Sequence, residues 1–329
     1  MAFLKKINTK AQTSASTGFG DNASNYGGRF LRKDGQANIK KTGIGFLERY
    51  SWFHSMLAMK RWKFFIIVLS FYIIVNVLFA IVYYLLGPAH LSGMIYSSEL
   101  ERFGESFFFS TQTFTTVGYG RISPLDFYSS AIAAFQALVG LLSFALATGL
   151  MYGRFSRPTA YIKFSENALI APYKGITGLM IRLAPFKNAT LTDAESKLTL
   201  GMMIEENGKL VNRFFPLELE LEKVNALNLS WTLVHPITES SPVYGFSKED
   251  FQNIPGELIV FLKAFDDKFS NTVVARSSYT FNEIIYGAAY NPMFYRDERH
   301  KMTVLDLDKL NDFKTINLPS IPVAVDTSK

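Results

Sequence analysis

Cysteine is absent from all 329 residues, which excludes disulfide scaffolds, thiolate metal sites and cysteine nucleophiles. Histidine is scarce: His54, His90, His235 and His300 are the only four, and no two stand four apart as a helical metal site requires. Charge is also sparse. Asp, Glu, Lys and Arg make up 19% of the chain, against about 25% in ordinary soluble proteins. Hydrophobic residues reach 48%, with 30 Phe and 16 Tyr, a balance that suits a membrane protein better than a soluble one. Yet a mean hydropathy of +0.11 is too low for a chain embedded throughout. A few membrane spans joined to a sizeable soluble domain fit both figures, and the length has room for both parts. The net charge of +6 does not call for nucleic acid, because basic residues flanking membrane spans already account for it.

Two long runs carry no charge. Phe64–Leu86 reads FFIIVLSFYIIVNVLFAIVYYLL, and a second run extends from Phe127 to Gly153, between Asp126 and Arg154. A bilayer core needs about 20 such residues in a helix. Lys60, Arg61 and Lys63 precede the first run, and Arg154, Arg157 and Lys163 follow the second. The intervening segment sets four acids (Glu99, Glu101, Glu105, Asp126) against Arg102 and Arg121. The positive-inside rule then places both chain ends in the cytoplasm. Residues 1–45 are polar, lack the h-region of a signal peptide and are expected to stay cytoplasmic, mostly without fixed structure on their own. Over 46–61, the helical spacing of Phe46, Leu47, Tyr50, Phe53 and Leu57 predicts an amphipathic helix lying in the membrane interface.

Residues 62–157 would thus form the membrane part and 158–329 a second domain. After Pro158 the pattern turns to short alternating segments. Leu217–Glu222 reads LELELE, a half-buried strand signature, and Asn207-Gly208 is a two-residue hairpin signal. Trp231–Val234, Leu258–Phe261 and Thr272–Ala275 read as further strands of an all-β sandwich. Asp250, Asp266 and Asp267 read as solvated surface, and no nucleophile–base pattern suggests an enzyme.

Between the spans lies FGESFFFSTQTFTTVGYGRISP, residues 103–124. Phe103–Thr115 is long enough for a short helix and too short to cross a bilayer. A re-entrant segment is tolerated only where its backbone is buried in protein or lines a water-filled path. Thr116-Val117-Gly118-Tyr119-Gly120 supplies a reason to re-enter. Stripping water from K⁺ requires replacement oxygens, and four TVGYG strands supply rings of carbonyls. Gly118 and Gly120 reach backbone angles closed to other residues. K⁺ would be held at Thr116, Val117, Gly118 and Tyr119 as a permeant ion, with no cofactor.

Five segments in order resemble the inward-rectifier potassium channel family, especially its bacterial branch, KirBac. These are GRFLRKDGQANI (Gly28–Ile39), FFFSTQTFTTVGYG, GRFSRP (Gly153–Pro158), WTLVHPITESSPVYG (Trp231–Gly245) and ARSSYTFNEIIYG (Ala275–Gly287). The resemblance implies an α + β membrane protein with slide helix, outer helix, pore helix, filter and inner helix. It also implies a cytoplasmic immunoglobulin-like β-sandwich and a homotetramer around one pore. It implies an acid behind the filter, where this chain has Gln112, so an arginine there is expected to lack its partner. It places a rectification acid where this chain has Phe144, and sets Glu283 on the cytoplasmic pore wall. Glu206, beside the hairpin, is expected nearby.

Phe144, Thr148 and Tyr152 are spaced by four and share one helix face. Tyr152 falls at the cytoplasmic end of the span, where four rings would close the path; the family's bundle crossing lies at the same position. Gly140 and Gly149 would let the helix bend or pack closely. Arg154 and Arg157 match the family's phospholipid-binding positions, and Lys60, Arg61 and Lys63 lie at the same depth. Together they are expected to attract anionic phospholipids and so bias the gate. The competing reading is a membrane-anchored β-domain sensor, which leaves the re-entrant TVGYG segment without a purpose.

Overall fold

Charge and apolar pattern divide the chain into two kinds of structure, and the structure, a computed structural model, follows that division. It describes residues 29–43, 45, 51–156, 159–187, 190–206 and 209–319, with the side chains of 205, 206, 209 and 210 excepted. These residues form two compact units. One is 42–156, and the other joins 29–41 to 159–319.

In the first unit, helix α1 (Trp52–Ala58) begins at Ser51, whose hydroxyl accepts from the His54 amide. Residues 46–50 of the expected interfacial helix lie outside the described residues. Helix α2 (Arg61–Leu86) has 26 residues and α4 (Phe127–Phe155) has 29. At about 1.5 Å per residue each exceeds the roughly 30 Å of a bilayer core. Only 11% of each helix's most apolar window is buried within the chain, so most of that surface is left to lipid or to other copies.

Helix α3 (Glu99–Phe114) lies between them in sequence. Ser98 caps it, accepting from the Glu101 amide, and Glu99 and Glu101 place negative charge in its first turn, where the helix dipole favours it. Asp126 caps α4 in a reciprocal capping box with Ser129. The Ser129 amide, with His90, holds the Asp126 carboxyl at about 2, so it remains ionised at the helix N-terminus. A two-stranded ribbon of β1 (Leu91–Ser92) and β2 (Ser123–Pro124) closes the loops around α3.

The second unit is a two-sheet sandwich. One sheet runs β11 (Asn271–Thr280), β10 (Gly256–Asp266), β6 (Leu191–Glu206), β7 (Lys209–Leu217), with β8 (Lys223–Leu227) also on β6. The other runs β12 (Ile284–Tyr286), β4 (Ala168–Tyr173), β5 (Ile176–Pro185), β3 (Ile162–Phe164), with β9 (Trp231–Pro236) also on β5. Only β12 and β4 are parallel. The core between them draws Ile170, Leu179, Ile181 and Leu233 from one sheet and Leu200, Leu258, Val260 and Leu262 from the other. A short helix α5 (Lys248–Asn253) and the ribbons β13 (Ala288–Tyr290) with β16 (Phe313–Thr315) and β14 (Phe294–Asp297) with β15 (Met302–Leu305) complete it.

Two expectations need correction. β7 ends at Leu217, and residues 218–222 form a connection outside any strand. Alternation does continue, with Leu219 buried and Glu218 and Glu220 exposed. The backbone partners scatter, however: Glu220 donates to Val234, and the Glu222 carbonyl accepts from Ser196. The pattern reported sidedness and not a ladder. Asp250 and Asp266 are likewise buried rather than solvated. Asp250 closes the capping box of α5, and Asp266 accepts from the amides of Lys268 and Phe269 at the β10–β11 turn. The Asn207-Gly208 pair lies outside the described residues, though β6 and β7 pair through Glu206 and Lys209.

The N-terminal segment is docked on the sandwich. Residues 32–36 turn, bridged by Leu31 and Ala37, and no longer strand forms there. Glu257, fully buried, accepts from the amides of Phe30 (2.5 Å) and Leu31 (3.1 Å). Burial pushes the Glu257 carboxyl up, and these two amides oppose that shift. Ser278 donates to the Leu31 carbonyl, and Phe30 packs edge-on to Phe214. Gly35, at φ +78°, lets the turn approach Arg276, where a Cβ would meet a backbone oxygen at 2.7 Å.

Glu257→Ala would leave two amide donors unpaired and should weaken docking of this segment by about 1–3 kcal/mol. Limited proteolysis of the full chain should then cut near residues 29–38 sooner than in the native protein; equal rates would show that the docking rests elsewhere.

Candidate functional site

A helix leaves its last carbonyls without intrahelical partners, and α3 is such a helix. Its carbonyls are taken up by the segment that follows. The Thr115 amide and hydroxyl donate to Thr111, the Thr116 amide to Thr113 (3.1 Å), and the amides of Val117 (3.0 Å) and Gly118 (3.3 Å) to Gln112. The backbone then alternates in hand. Thr116, Gly118 and Gly120 have φ of +59°, +51° and +82°, while Val117 and Tyr119 between them do not enter the left-handed region. Left-handed Thr is uncommon and costs energy. At Gly118 and Gly120 no atom would meet an added Cβ within 4 Å, so glycine serves conformation there and not space. Val117 and Tyr119 are largely exposed on the single chain.

Helix α4 meets α3 at Gly140. A Cβ there would lie 1.9 Å from the Phe114 carbonyl oxygen, so only glycine permits this approach. Gly149 has nothing within 4 Å. Phe144, Thr148 and Tyr152 all lie exposed along one face of α4, with Phe144 73% and Tyr152 75% accessible.

Four interactions escaped the sequence reading. First, Asn76 of α2, Ser110 of α3 and Gln136 of α4 are fully buried and bonded to one another, with Tyr83 hydroxyl donating to Gln136 Oε1 at 2.8 Å. A lone carboxamide in each apolar span was the available signal. Second, Arg121 has a partner after all. The arginine just after Gly120 pairs with Glu105 of α3 at 2.6 Å, an acid nearer the helix start than Gln112. Third, Arg154 donates to the Met56 and Met59 carbonyls and lies over the Phe64 ring, joining the ends of α1 and α4 directly. Leu57 packs near Gly153 at the same level. Lys60, Arg61 and Lys63 are exposed and form no ion pair among the described residues. Arg157 lies outside the described residues.

The fourth concerns Glu283. Its carboxylate is paired with Arg29 and with Lys33 (3.0 Å) and accepts from the Thr280 amide. A wall acid at Glu283 would therefore carry two basic neighbours of its own. The Glu206 side chain lies outside the described residues.

The profile of the inward rectifier potassium channel C-terminal domain matches residues 162–329, and an ion channel profile matches residues 67–157. The inward rectifier potassium channel Kirbac3.1 of Paramagnetospirillum magnetotacticum is 33% identical over 271 residues, covering 81% of this chain and 89% of that protein. The chain belongs to the inward rectifier potassium channel family. The mouse and human ATP-sensitive inward rectifier potassium channels 12 are each 25% identical over 321 residues, covering 89% of this chain and 73% and 72% of theirs. The family places an ion channel on this chain, integral to a membrane, with α2 and α4 as its spans and the β unit as its C-terminal domain.

The Gly140 contact gives a direct check. Gly140→Ala forces α3 or α4 to shift, at about 1–3 kcal/mol for overpacking, and should lower the thermal midpoint of the detergent-solubilised protein. Gly149→Ala, in open space and better for a helix, should not. Equal midpoints for Gly140→Ala and the native protein would mean that the helices are not held at this distance.

Proposed function

We propose that four copies of this chain surround one pore and pass K⁺ through carbonyl rings built from Thr116 to Gly120. The alternating backbone hand at Thr116, Gly118 and Gly120 carries this reading. Alternation turns successive carbonyls to one side, and four such strands replace the hydration shell of K⁺. The exposure of Val117 and Tyr119 on the single chain supports neighbouring copies packing there. With basic residues flanking the spans and acids between them, both chain ends face the cytoplasm. No reaction chemistry is invoked: the channel conducts passively.

The purified protein in liposomes should pass K⁺ well ahead of Na⁺ and be blocked by Ba²⁺, a divalent ion close to K⁺ in size. Gly118→Ala places a Cβ in the left-handed region at about 1–2 kcal/mol per subunit and should cut K⁺ flux severalfold. Native flux that does not distinguish Na⁺ from K⁺ is the result that sinks this reading.

The gate belongs at the end of the inner helix. Tyr152 rings from four copies form a hydrophobic constriction that closes by excluding water. Exposed Lys60, Arg61 and Lys63, with Arg157, attract anionic headgroups at about 1 kcal/mol per basic residue. Arg154 instead couples α1 to α4 through the Met56 and Met59 carbonyls. Headgroups held by Lys60, Arg61 and Lys63, just past the end of α1, thereby bear on this α1–α4 link and through it on the gate. Tyr152→Ala should raise resting flux, while Arg154→Ala should flatten the response of flux to added anionic lipid. If Arg154→Ala responds to lipid as the native channel does, the coupling runs through other residues.

A further inference from the structure

Each apolar span carries a single carboxamide, Asn76 in α2 and Gln136 in α4. The two meet on opposite sides of one hydroxyl. Ser110 lies in the last third of α3 and, like both amides, is fully buried. The donors and acceptors run in one direction. The Tyr83 hydroxyl donates to Gln136 Oε1 (2.8 Å). Gln136 Nε2 spends its two hydrogens on Ser110 Oγ (2.6 Å) and the Ser110 carbonyl (3.0 Å). Ser110 Oγ directs its only hydrogen at Asn76, whose Oδ1 lies at 2.9 Å and backbone carbonyl at 3.1 Å, and Asn76 Nδ2 donates to the Tyr72 carbonyl (2.8 Å). Reversing Gln136 would set its oxygen against the Ser110 carbonyl, and reversing Asn76 would set its oxygen against the Tyr72 carbonyl, so both orientations follow from carbonyls that can only accept.

The location matters as much as the bonding. Ser110 lies one turn from the C-terminal end of α3 and immediately precedes Thr111, Gln112 and Thr113, whose carbonyls hold the amides of residues 115–118. One turn below, the Phe114 carbonyl stops α4 at Gly140. Sliding or rotating α3 would therefore break the Ser110 bonds and displace the filter backbone together. In a bilayer no water is at hand to replace those bonds, and a serine bonded from both sides defines helix height and rotation more sharply than apolar contact does.

We infer that Gln136, Ser110 and Asn76 are positioning residues for ion selectivity, setting the height and rotation of α3 and through it the spacing of the Thr116–Gly120 carbonyls. The inference rests on the filter reading above and adds that selectivity is held from behind by two spans. Helix-to-helix glue without influence on selectivity is the competing account of the same bonds, and it predicts a different experiment.

Native protein, Ser110→Ala, Gln136→Met and the double variant would be reconstituted in liposomes of phosphatidylethanolamine and phosphatidylglycerol. Initial K⁺ and Na⁺ fluxes and the Ba²⁺ concentration that halves K⁺ flux are the readouts, beside thermal stability. Each single variant should lower the K⁺:Na⁺ ratio roughly three- to tenfold, the range interhelical hydrogen bonds are worth in membranes, and weaken Ba²⁺ block. The double variant should be no worse than the worse single, because one linkage is being broken. Tyr83→Phe, which removes only the outermost hydroxyl, is read the same way should Gln136→Met fail to fold. Variants that lose thermal stability yet keep the native K⁺:Na⁺ ratio and Ba²⁺ sensitivity would overturn the inference and leave glue as the answer. A native protein that passes Na⁺ as fast as K⁺ would instead remove the filter reading beneath it.

Discussion

The carbonyl end of a short helix inside a membrane must be satisfied by its own chain, and much of the pore unit follows from that requirement. Helix α3 is too short to cross and too polar at its end to be left in hydrocarbon. The four residues after it turn back to donate their amides, and doing so takes Thr116 and Gly118 into left-handed backbone. The backbone conformation of residues 115–118 is thus partly a helix cap. Gly140 belongs to the same constraint, since a larger residue would push α4 away from the Phe114 carbonyl.

The two units are held together by different physics. In the β unit, apolar side chains from both sheets leave water, at about 0.8 kcal/mol per buried CH₂, and Leu, Ile and Val fill the core. Between membrane helices that driving force is absent, because lipid is as apolar as leucine. The pore unit accordingly relies on close backbone approach at Gly140, aromatic contacts such as Tyr83 on Phe109, and buried polar links through Asn76, Ser110 and Gln136. The Arg121–Glu105 pair and the Arg154 bonds to Met56 and Met59 do similar work nearer the membrane faces.

Features written in runs and motifs were legible in the sequence. The spans, the short helix before TVGYG and the strands at Trp231, Leu258 and Thr272 all stand within a few residues of their expected places. Features that depend on partners distant in sequence were not. In LELELE only Leu217 and Leu219 face the core while Leu221 is exposed, and nothing in six residues tells whether a neighbouring strand pairs with them. Asp266 is buried because two turn amides reach it. Arg29 and Lys33 lie some 250 residues from Glu283, so no local pattern could show that they neutralise it. Gln136 was visible as a polar residue in an apolar run, but its partners on two other helices were not.

The docked N-terminal segment has a consequence for the order in which this protein is made. Phe30 is held by Glu257, 227 positions later in the chain, and Leu31 by Ser278, 247 positions later. Ribosomes add about 5–20 residues per second, so both membrane helices have emerged well before the residues that grip the N-terminus exist. During that interval the segment has no sandwich to bind, and the basic residues ahead of α2 are free to orient its insertion. Docking comes last, after the membrane helices have been made, and it therefore marks the end of folding in a way that neither apolar span does by itself.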